Sequence, residues 1–314
     1  MSAQLESQAS FESGISGFMY RQFLIHRKPV PPGMSMKGKT AIVTGSNTGL
    51  GLEAARQLLQ LGATTLVMAV RSLDKGNEAA KELRPAFPQA RVEVWALDME
   101  DYAAIETFAE KCKDLKRIDV VILNAGLQNT TYKRSVNTGH EQVLQVNYLS
   151  TALLTILLLP VLRAKKESSS RSPVITLVTS DTAYWATLNA EEPVLAQFDN
   201  EERFSQFAAY TGTKLLEQMF LIKLAELVSA DDVIINAVNP GLVDGTALDR
   251  DSPAGLLFGA FRRIVGRSLE VGGSTFPSIL YTEGGHTVMD RLWEETIEEL
   301  DFAGVSKILQ EMQT

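Results

Sequence analysis

Short runs rich in Val, Ile, Leu and Thr alternate along this chain with longer stretches patterned as helices, and no other feature constrains the fold as much. "TAIVTG" (40–45) precedes "LGLEAARQLLQLG", whose apolar residues recur at helical spacing as far as Gly62. "TTLVMAV" (64–70), a polar helix through "GNEAAKEL", "VEVWAL" (92–97) and a helix over about 101–115 follow. "DVVILNAG" (119–126), a long helix over about 138–166, the strand "PVITLVT", a helix over about 207–229 and the strand "VIINAVNPG" (233–241) continue the series. Strands without polar alternation are buried on both faces, and their regular exchange with helices demands a parallel sheet with right-handed crossovers. The expected fold is a doubly wound α/β sheet in a single domain over 37–314, preceded by an N-terminal extension, 1–36. No internal repeat is visible, and "KKESSSRSP" (165–173) reads as a solvated loop before a strand.

"TGSNTGLG" (44–51) sits between the first strand and the first helix. Glycines let a backbone turn tightly and approach a pyrophosphate, whose charge meets the free N–H groups and positive dipole end of the following helix. Gly45, Ser46, Asn47, Thr48, Gly49, Leu50 and Gly51 are therefore candidate cofactor-binding residues of a Rossmann-type sheet. The end of the second strand discriminates between nucleotides: a free ribose 2′-hydroxyl calls for a carboxylate, a 2′-phosphate for arginine. The chain offers Arg71 and Ser72 first and Asp74 only later, so NADP(H) is preferred to NAD(H); the alternative is that Arg71 merely solvates a strand end. Asp98 and Met99 end the third strand, and Asn124, Ala125 and Gly126 end the fourth. Asp98 can accept a hydrogen bond from the adenine amine and the "NAG" segment can border the adenosine ribose, or either can be a plain turn.

Composition excludes several function classes. Thirty basic against 38 acidic residues give a net charge of -8, and no arginine-rich stretch is present to follow a phosphate backbone, so no nucleic-acid partner is expected. The single cysteine, Cys112, cannot form an intrachain disulfide and reads as structural, which suits a cytoplasmic protein. His26, His140 and His286 lie far apart without neighbouring ligands, so no metal site is expected and surface or capping roles are assigned to them. Residues 1–36 are expected to carry no secretory signal, and "FMYRQFLIHRKP" to pack on the body of the protein, the alternative being an interfacial turn of helix. "TALLTILLLPVL" (151–162) is too short to span a membrane and reads as a core or subunit-interface helix.

"VITLVTSDTAYW" (174–185) reads as a buried strand ending in polar residues, with the Ser180 hydroxyl at its end and Tyr184 close behind. "AAYTGTK" places Tyr210 and Lys214 four apart on a helix, hence on one face. An ammonium beside a phenol favours phenolate and lowers the tyrosine pKa from about 10 towards working pH. A Tyr-x-x-x-Lys pair alone is common by chance and reads as structural, so Tyr184 and Tyr210 both stay open as partners of Ser180.

"TGSNTGLG", "NAG", Asn147 in "QVNYLS", Ser180, "YTGTK" and "NPG" (239–241) occur in an order and spacing that resemble the short-chain dehydrogenase/reductase family. "GKTAIVTGSNTGLGLEAARQL", "VRS", the late "LWEETIEEL" and the aromatic- and Pro-rich N-terminal extension resemble fungal secondary-metabolism reductases related to retinol dehydrogenases. The resemblance implies that Tyr210 protonates a carbonyl oxygen as hydride arrives, Ser180 orients that oxygen, and Lys214 holds the nicotinamide ribose. It implies that Asn147 completes a proton relay through a water, and that Pro240, Gly241 and Val243 flank the nicotinamide. Two departures stand out. Gly245 occupies the place where the family often has threonine, so contact with the cofactor falls to Thr246, and 30 residues separate Ser180 from Tyr210 where the family usually has a dozen or so. The family also implies a homo-oligomer, a dimer or tetramer, paired through the helices at about 138–166 and 207–229.

Specificity in such a fold lies in the loops beyond the strand ends. "QNTTYKR" with Gln128, the 181–206 insertion with Tyr184 and Trp185, and the glycine-bracketed apolar stretch within 243–270 are the expected substrate walls, the last as a lid. The alternative is that these side chains cover core or a subunit interface. The expected function is NADPH-dependent reduction of a ketone or aldehyde on a hydrophobic small molecule, such as a secondary-metabolite intermediate. NADP-dependent oxidation of a secondary alcohol is one alternative, and a redox-silent member of the fold that binds a metabolite or guides a cyclisation is another.

Overall fold

The structure, a computed structural model, describes residues 10–11, 13–24, 33–166, 171–243 and 285–313. Six parallel strands form one sheet in the order β3-β2-β1-β4-β5-β6: β1 (Thr40–Thr44), β2 (Thr65–Val70), β3 (Arg91–Ala96), β4 (Val120–Leu123), β5 (Val174–Val178) and β6 (Ile234–Val238). Strand order reverses between β1 and β4. The loops leaving their carboxyl ends therefore diverge and open a crevice there.

Helices cover both faces, and the strands supply one core to each. Ala41, Val43, Leu66 and Met68 point towards α1 (Gly49–Gln60) and α2 (Leu73–Ala86), whereas Ile42, Val67 and Ala69 join the core under α3 (Tyr102–Cys112), α4 (Ser150–Lys165) and α5 (Gln206–Leu227). Alternate residues facing opposite cores explain the unbroken apolar runs. Local signals set the helix starts: the Ser72 hydroxyl accepts the Lys75 N–H at α2, and the Asp101 carboxylate accepts the Ala103 N–H at α3. Cys112 is fully buried and burial pushes its thiol up to about 12, consistent with a packing role.

The long helix expected from 138 starts later. Gly139 adopts a left-handed φ of 83°, the backbones at Arg134 and Glu141 pair as a short antiparallel bridge, and the Glu141 carboxylate accepts the Leu144 N–H at 2.9 Å, so the helix begins beyond that cap. A π-helical turn, Leu144–Leu149, then leads into α4. Leu144–Lys165 is, among the described residues, the one helix long and apolar enough to cross a membrane, with a mean hydropathy of 1.6; it is 89% buried as the central core helix.

Two further helices, α6 (Gly285–Leu300) and α7 (Val305–Met312), lie against α4 and α5. Trp293 stacks on Phe220 with ring centroids 5.9 Å apart, Tyr148 Oη and Thr296 Oγ1 share a 2.6 Å hydrogen bond, and Arg163 donates to the Glu311 carbonyl. On these sides α4 and α5 pack against the C-terminal part of the same chain.

The 181–206 insertion is firmly held. The Val194 and Leu195 N–H groups both donate to the Glu295 carboxylate at 2.8 Å, and the Phe198 ring lies where a Cβ on Gly212 would meet it at 2.8 Å. His140, expected at the surface or in a cap, is clamped: Nδ1 lies 2.7 Å from Asp199 and Nε2 3.2 Å from Glu299. The hydrogen bond to Asp199, then that to Glu299, raise the His140 pKa from 6.5 to about 9 against the opposing effect of burial. Because the folded value is the raised one, the clamp stabilises fully below about pH 6.5 and is lost as pH rises through about 9. His140→Gln is expected to cost roughly 3 kcal/mol at mildly acid pH. Thermal unfolding across that range should show the gap to wild type closing above about pH 9; a constant gap would contradict the clamp.

Candidate active site

The crevice at the strand reversal is a cleft of about 410 Å³. Gly45 and Gly49 take positive φ values of 64° and 56°, which shape the loop before α1. Gly51 sits so close beneath it that a Cβ would meet the Gly45 carbonyl oxygen and Asn124 Nδ2 at 2.5 Å. Thr44 sews the two strand ends together: its hydroxyl accepts the N–H groups of Asn124 and Ala125, both at 2.9 Å, and its carbonyl accepts Asn124 Nδ2. Of the expected cofactor residues, Gly45, Asn47, Thr48, Arg71, Ser72, Asp98, Met99, Asn124, Ala125 and Gly126 line this cleft. Ser46 turns inward instead, fully buried and donating to the Val43 carbonyl at 2.9 Å; Gly49, Leu50 and Gly51 form the first turn of α1 behind the wall.

The rim carries cations. Arg71 is exposed and paired with Glu100 at 2.9 Å, and Glu100 also accepts from Gln142 Nε2 at 2.7 Å. Lys75 joins the wall four residues after Arg71, one turn into α2, a position that helical spacing from "VRS" would have indicated. Asp98 turns one carboxyl oxygen to the Glu100 N–H at 3.0 Å. Positive-φ glycines, a helix N-terminus and two cations form a donor set suited to a polyanion of dinucleotide type.

Beside the cleft, Ser180 follows β5 and caps the short 3₁₀ turn Asp181–Trp185. Its Oγ accepts the Thr182 N–H at 3.2 Å and the Thr182 hydroxyl at 2.9 Å. With both acceptor positions filled, the Ser180 O–H is left to donate. Thr182 was not a sequence candidate, and no local pattern distinguishes it from the neighbouring hydroxyls.

Tyr210 and Lys214 stand on α5, with Lys214 Nζ 5.9 Å from the Tyr210 ring centre. Lys214 is 5% exposed and donates to the Val178 carbonyl at 3.0 Å and to Glu217 at 2.7 Å. Gln218 donates to the Ser180 carbonyl at 3.2 Å, so α5 is fastened directly to the strand end that carries Ser180. Burial pushes the Glu217 carboxyl up to about 7, against the pull of the Lys214 ammonium. Glu217 also escaped the sequence reading, although it lies three residues after Lys214 on the same helix face.

Asn147 lies fully buried in the π-helical turn. Its Oδ1 accepts the Leu127 N–H at 2.8 Å, and its Nδ2 donates to the Leu127 carbonyl at 3.0 Å and the Thr213 hydroxyl at 3.3 Å. The side chain is thus committed to protein groups, and a relay role would fall to its main chain. Tyr184 and Trp185 flank Ser180 in the 3₁₀ turn, and Trp185 stacks on Phe207 at 6.2 Å. Gln128 is half-buried in the loop after β4. Pro240, Gly241, with φ 72°, and Val243 follow β6, while Thr246 and nearly all of the expected lid fall outside the described residues.

Comparison with known proteins gives a consistent result. The sequence profile of the short chain dehydrogenases matches residues 39–184. The short chain dehydrogenase virL of Hypocrea virens is 48% identical, with 100% of this chain and 99% of the relative covered. The short chain dehydrogenase opdN of Penicillium oxalicum is 44% identical over 90% of this chain and 95% of its own length. Among solved structures, the NADPH-dependent 3-quinuclidinone reductase of Rhodotorula rubra superimposes with a TM-score of 0.55 at 21% identity, covering 79% of this chain and 88% of that one.

Proposed function

Because the chain belongs to the short-chain dehydrogenase family, an oxidoreductase family, we propose that it uses NADPH to reduce a ketone or aldehyde on a hydrophobic small molecule. The observation that carries this reading is the fastening of α5, which bears Tyr210 and Lys214 one helical turn apart, onto the strand end that bears Ser180, beside a cleft rimmed by Arg71 and Lys75. NADPH, when bound, supplies the hydride. Arg71, Ser72 and Lys75 would hold its 2′-phosphate, and the Gly45–Gly51 loop its pyrophosphate. Ser180 would donate its remaining hydrogen to the carbonyl oxygen and fix that oxygen near Tyr210. Tyr210 would then give its phenolic proton to the same oxygen as charge develops there, the Lys214 ammonium stabilising the resulting phenolate. The aromatic surface of Tyr184, Trp185 and Phe207 supports an apolar substrate, for which we assign secondary-metabolite intermediates as the class.

NADPH oxidation over a graded panel of ketones and aldehydes tests the activity. A wild-type protein that binds NADPH yet turns over no member would favour the redox-silent alternative, and turnover confined to alcohols with NADP would favour oxidation. Arg71→Ala tests the cofactor assignment. Losing one charge-assisted contact is expected to lower the preference for NADPH over NADH by about tenfold or more, and an unchanged ratio would remove its basis.

A further inference from the structure

The N-terminal segment described here runs from Ser13 through a short helix, Ile15–Met19, and a π-helical turn, Tyr20–Leu24. So short a helix has little stability of its own. Hydrophobic burial does not explain where it sits, since Ile15 is 76% and Leu24 64% exposed, with Met19 and Phe23 also exposed. What holds it are directional contacts to two segments far away in sequence.

One is the turn that Ser180 caps. Arg21 Nε lies 3.1 Å from Asp181 Oδ2, its guanidinium sits 4.9 Å over the Tyr184 ring, and both charged groups are mostly buried. Trp185 Nε1 donates to the Ser13 carbonyl at 2.9 Å, and Phe18 packs on the Trp185 ring at 5.5 Å. The other is the loop after β6. Gln22, 6% exposed, presents its side-chain amide to the Leu242 backbone as a strand would: Nε2 donates to the Leu242 carbonyl at 3.0 Å, and Oε1 accepts the Leu242 N–H at 3.1 Å. Adjacent residues of one segment therefore grip both the Ser180 turn and the loop after β6.

We propose that Ser13–Leu24 is a working part of the substrate site, in which Arg21 and Gln22 are positioning residues joining the Ser180 turn to the loop after β6 and setting the width of the entrance. The proposal rests on the reading that a carbonyl is bound at Ser180 and Tyr210. Arg21 acts through Asp181 on the turn whose cap is the Ser180 hydroxyl, and Gln22 acts through Leu242 on the opposite wall. The cofactor cleft at β1, β2 and β4 makes no use of the segment. Large substrates should feel its loss more than small ones.

The test compares wild type, Arg21→Ala, Gln22→Ala, Arg21→Lys and Tyr210→Phe. The readouts are NADPH affinity by fluorescence, amide hydrogen exchange at Thr182 and Leu242, and steady-state kinetics on a panel running from propanal to α-tetralone. Arg21→Ala is expected to keep NADPH affinity within about twofold, and amide exchange should quicken at Thr182 in Arg21→Ala and at Leu242 in Gln22→Ala. Both alanine variants should raise KM for α-tetralone by about tenfold with a smaller change in kcat, while propanal is little affected and Arg21→Lys recovers part of the loss. Wild-type KM and exchange in both alanine variants would overturn the proposal, and so would a loss of NADPH binding together with cooperative unfolding, which would make the segment a fold element. Undiminished turnover in Tyr210→Phe, or no turnover of any panel member by wild type, would instead fail the carbonyl reading on which the proposal stands.

Discussion

Tyr210→Phe is expected to fold, to bind NADPH as wild type does, and to lose about 10³-fold in kcat, because the phenol is the group that delivers a proton to the reacting oxygen. Removing one oxygen atom leaves the packing of a half-buried ring unchanged, so the loss should fall on kcat with little change in KM. Tyr184→Phe is the matched control. Its ring lies under the Arg21 guanidinium in the turn after Ser180, and it should retain most activity. Equal losses in the two variants would mean that the tyrosine on α5 has been given the wrong role.

Lys214→Met is expected to remove both activity and stability, by separate routes. Its ammonium is the countercharge of the buried Glu217, at 2.7 Å, and without it the carboxyl must remain protonated in the folded state. Losing the ammonium pushes that carboxyl higher still, so this variant should fall behind wild type as pH rises above neutrality, by roughly 3 kcal/mol in alkali, with little deficit in acid. Lys214→Met/Glu217→Gln replaces the charge pair with neutral groups of similar volume and should recover most of the unfolding temperature. It should stay inactive, because the phenolate of Tyr210 still lacks its cation. Recovery of turnover in the double variant would reduce Lys214 to a purely structural role.

The legible parts of this protein are those governed by local pattern. Val, Ile and Leu runs such as Ala41–Val43 and Leu66–Met68 read as strands because both of their faces meet a core, and that alternation alone implied the parallel sheet. Helical spacing puts Tyr210 and Lys214 on one face and Ser180 at the end of a buried strand, but the roles proposed for them came from the order of motifs that resembles the family. Gly139 shows where pattern fails: a left-handed residue and the Glu141 cap delay a helix whose apolar periodicity offers no stop signal. Ser46 shows another limit, since nothing local says which side chain of a phosphate loop turns into the core. His140, Arg21 and Gln22 lay beyond sequence reading for a different reason. Their partners stand 59, 160 and 220 residues away, and only the folded chain brings them together.

Every role proposed for this protein depends on hydride transfer at the Ser180, Tyr210 and Lys214 site. Its most direct test incubates the protein with NADPH deuterated on the nicotinamide carbon that gives up hydride, together with the carbonyl panel, and examines the alcohol product by mass spectrometry. One deuterium is expected on the carbinol carbon with wild type, and almost no labelled alcohol with Tyr210→Phe. Product alcohol without deuterium, or equal labelling by Tyr210→Phe, would contradict it.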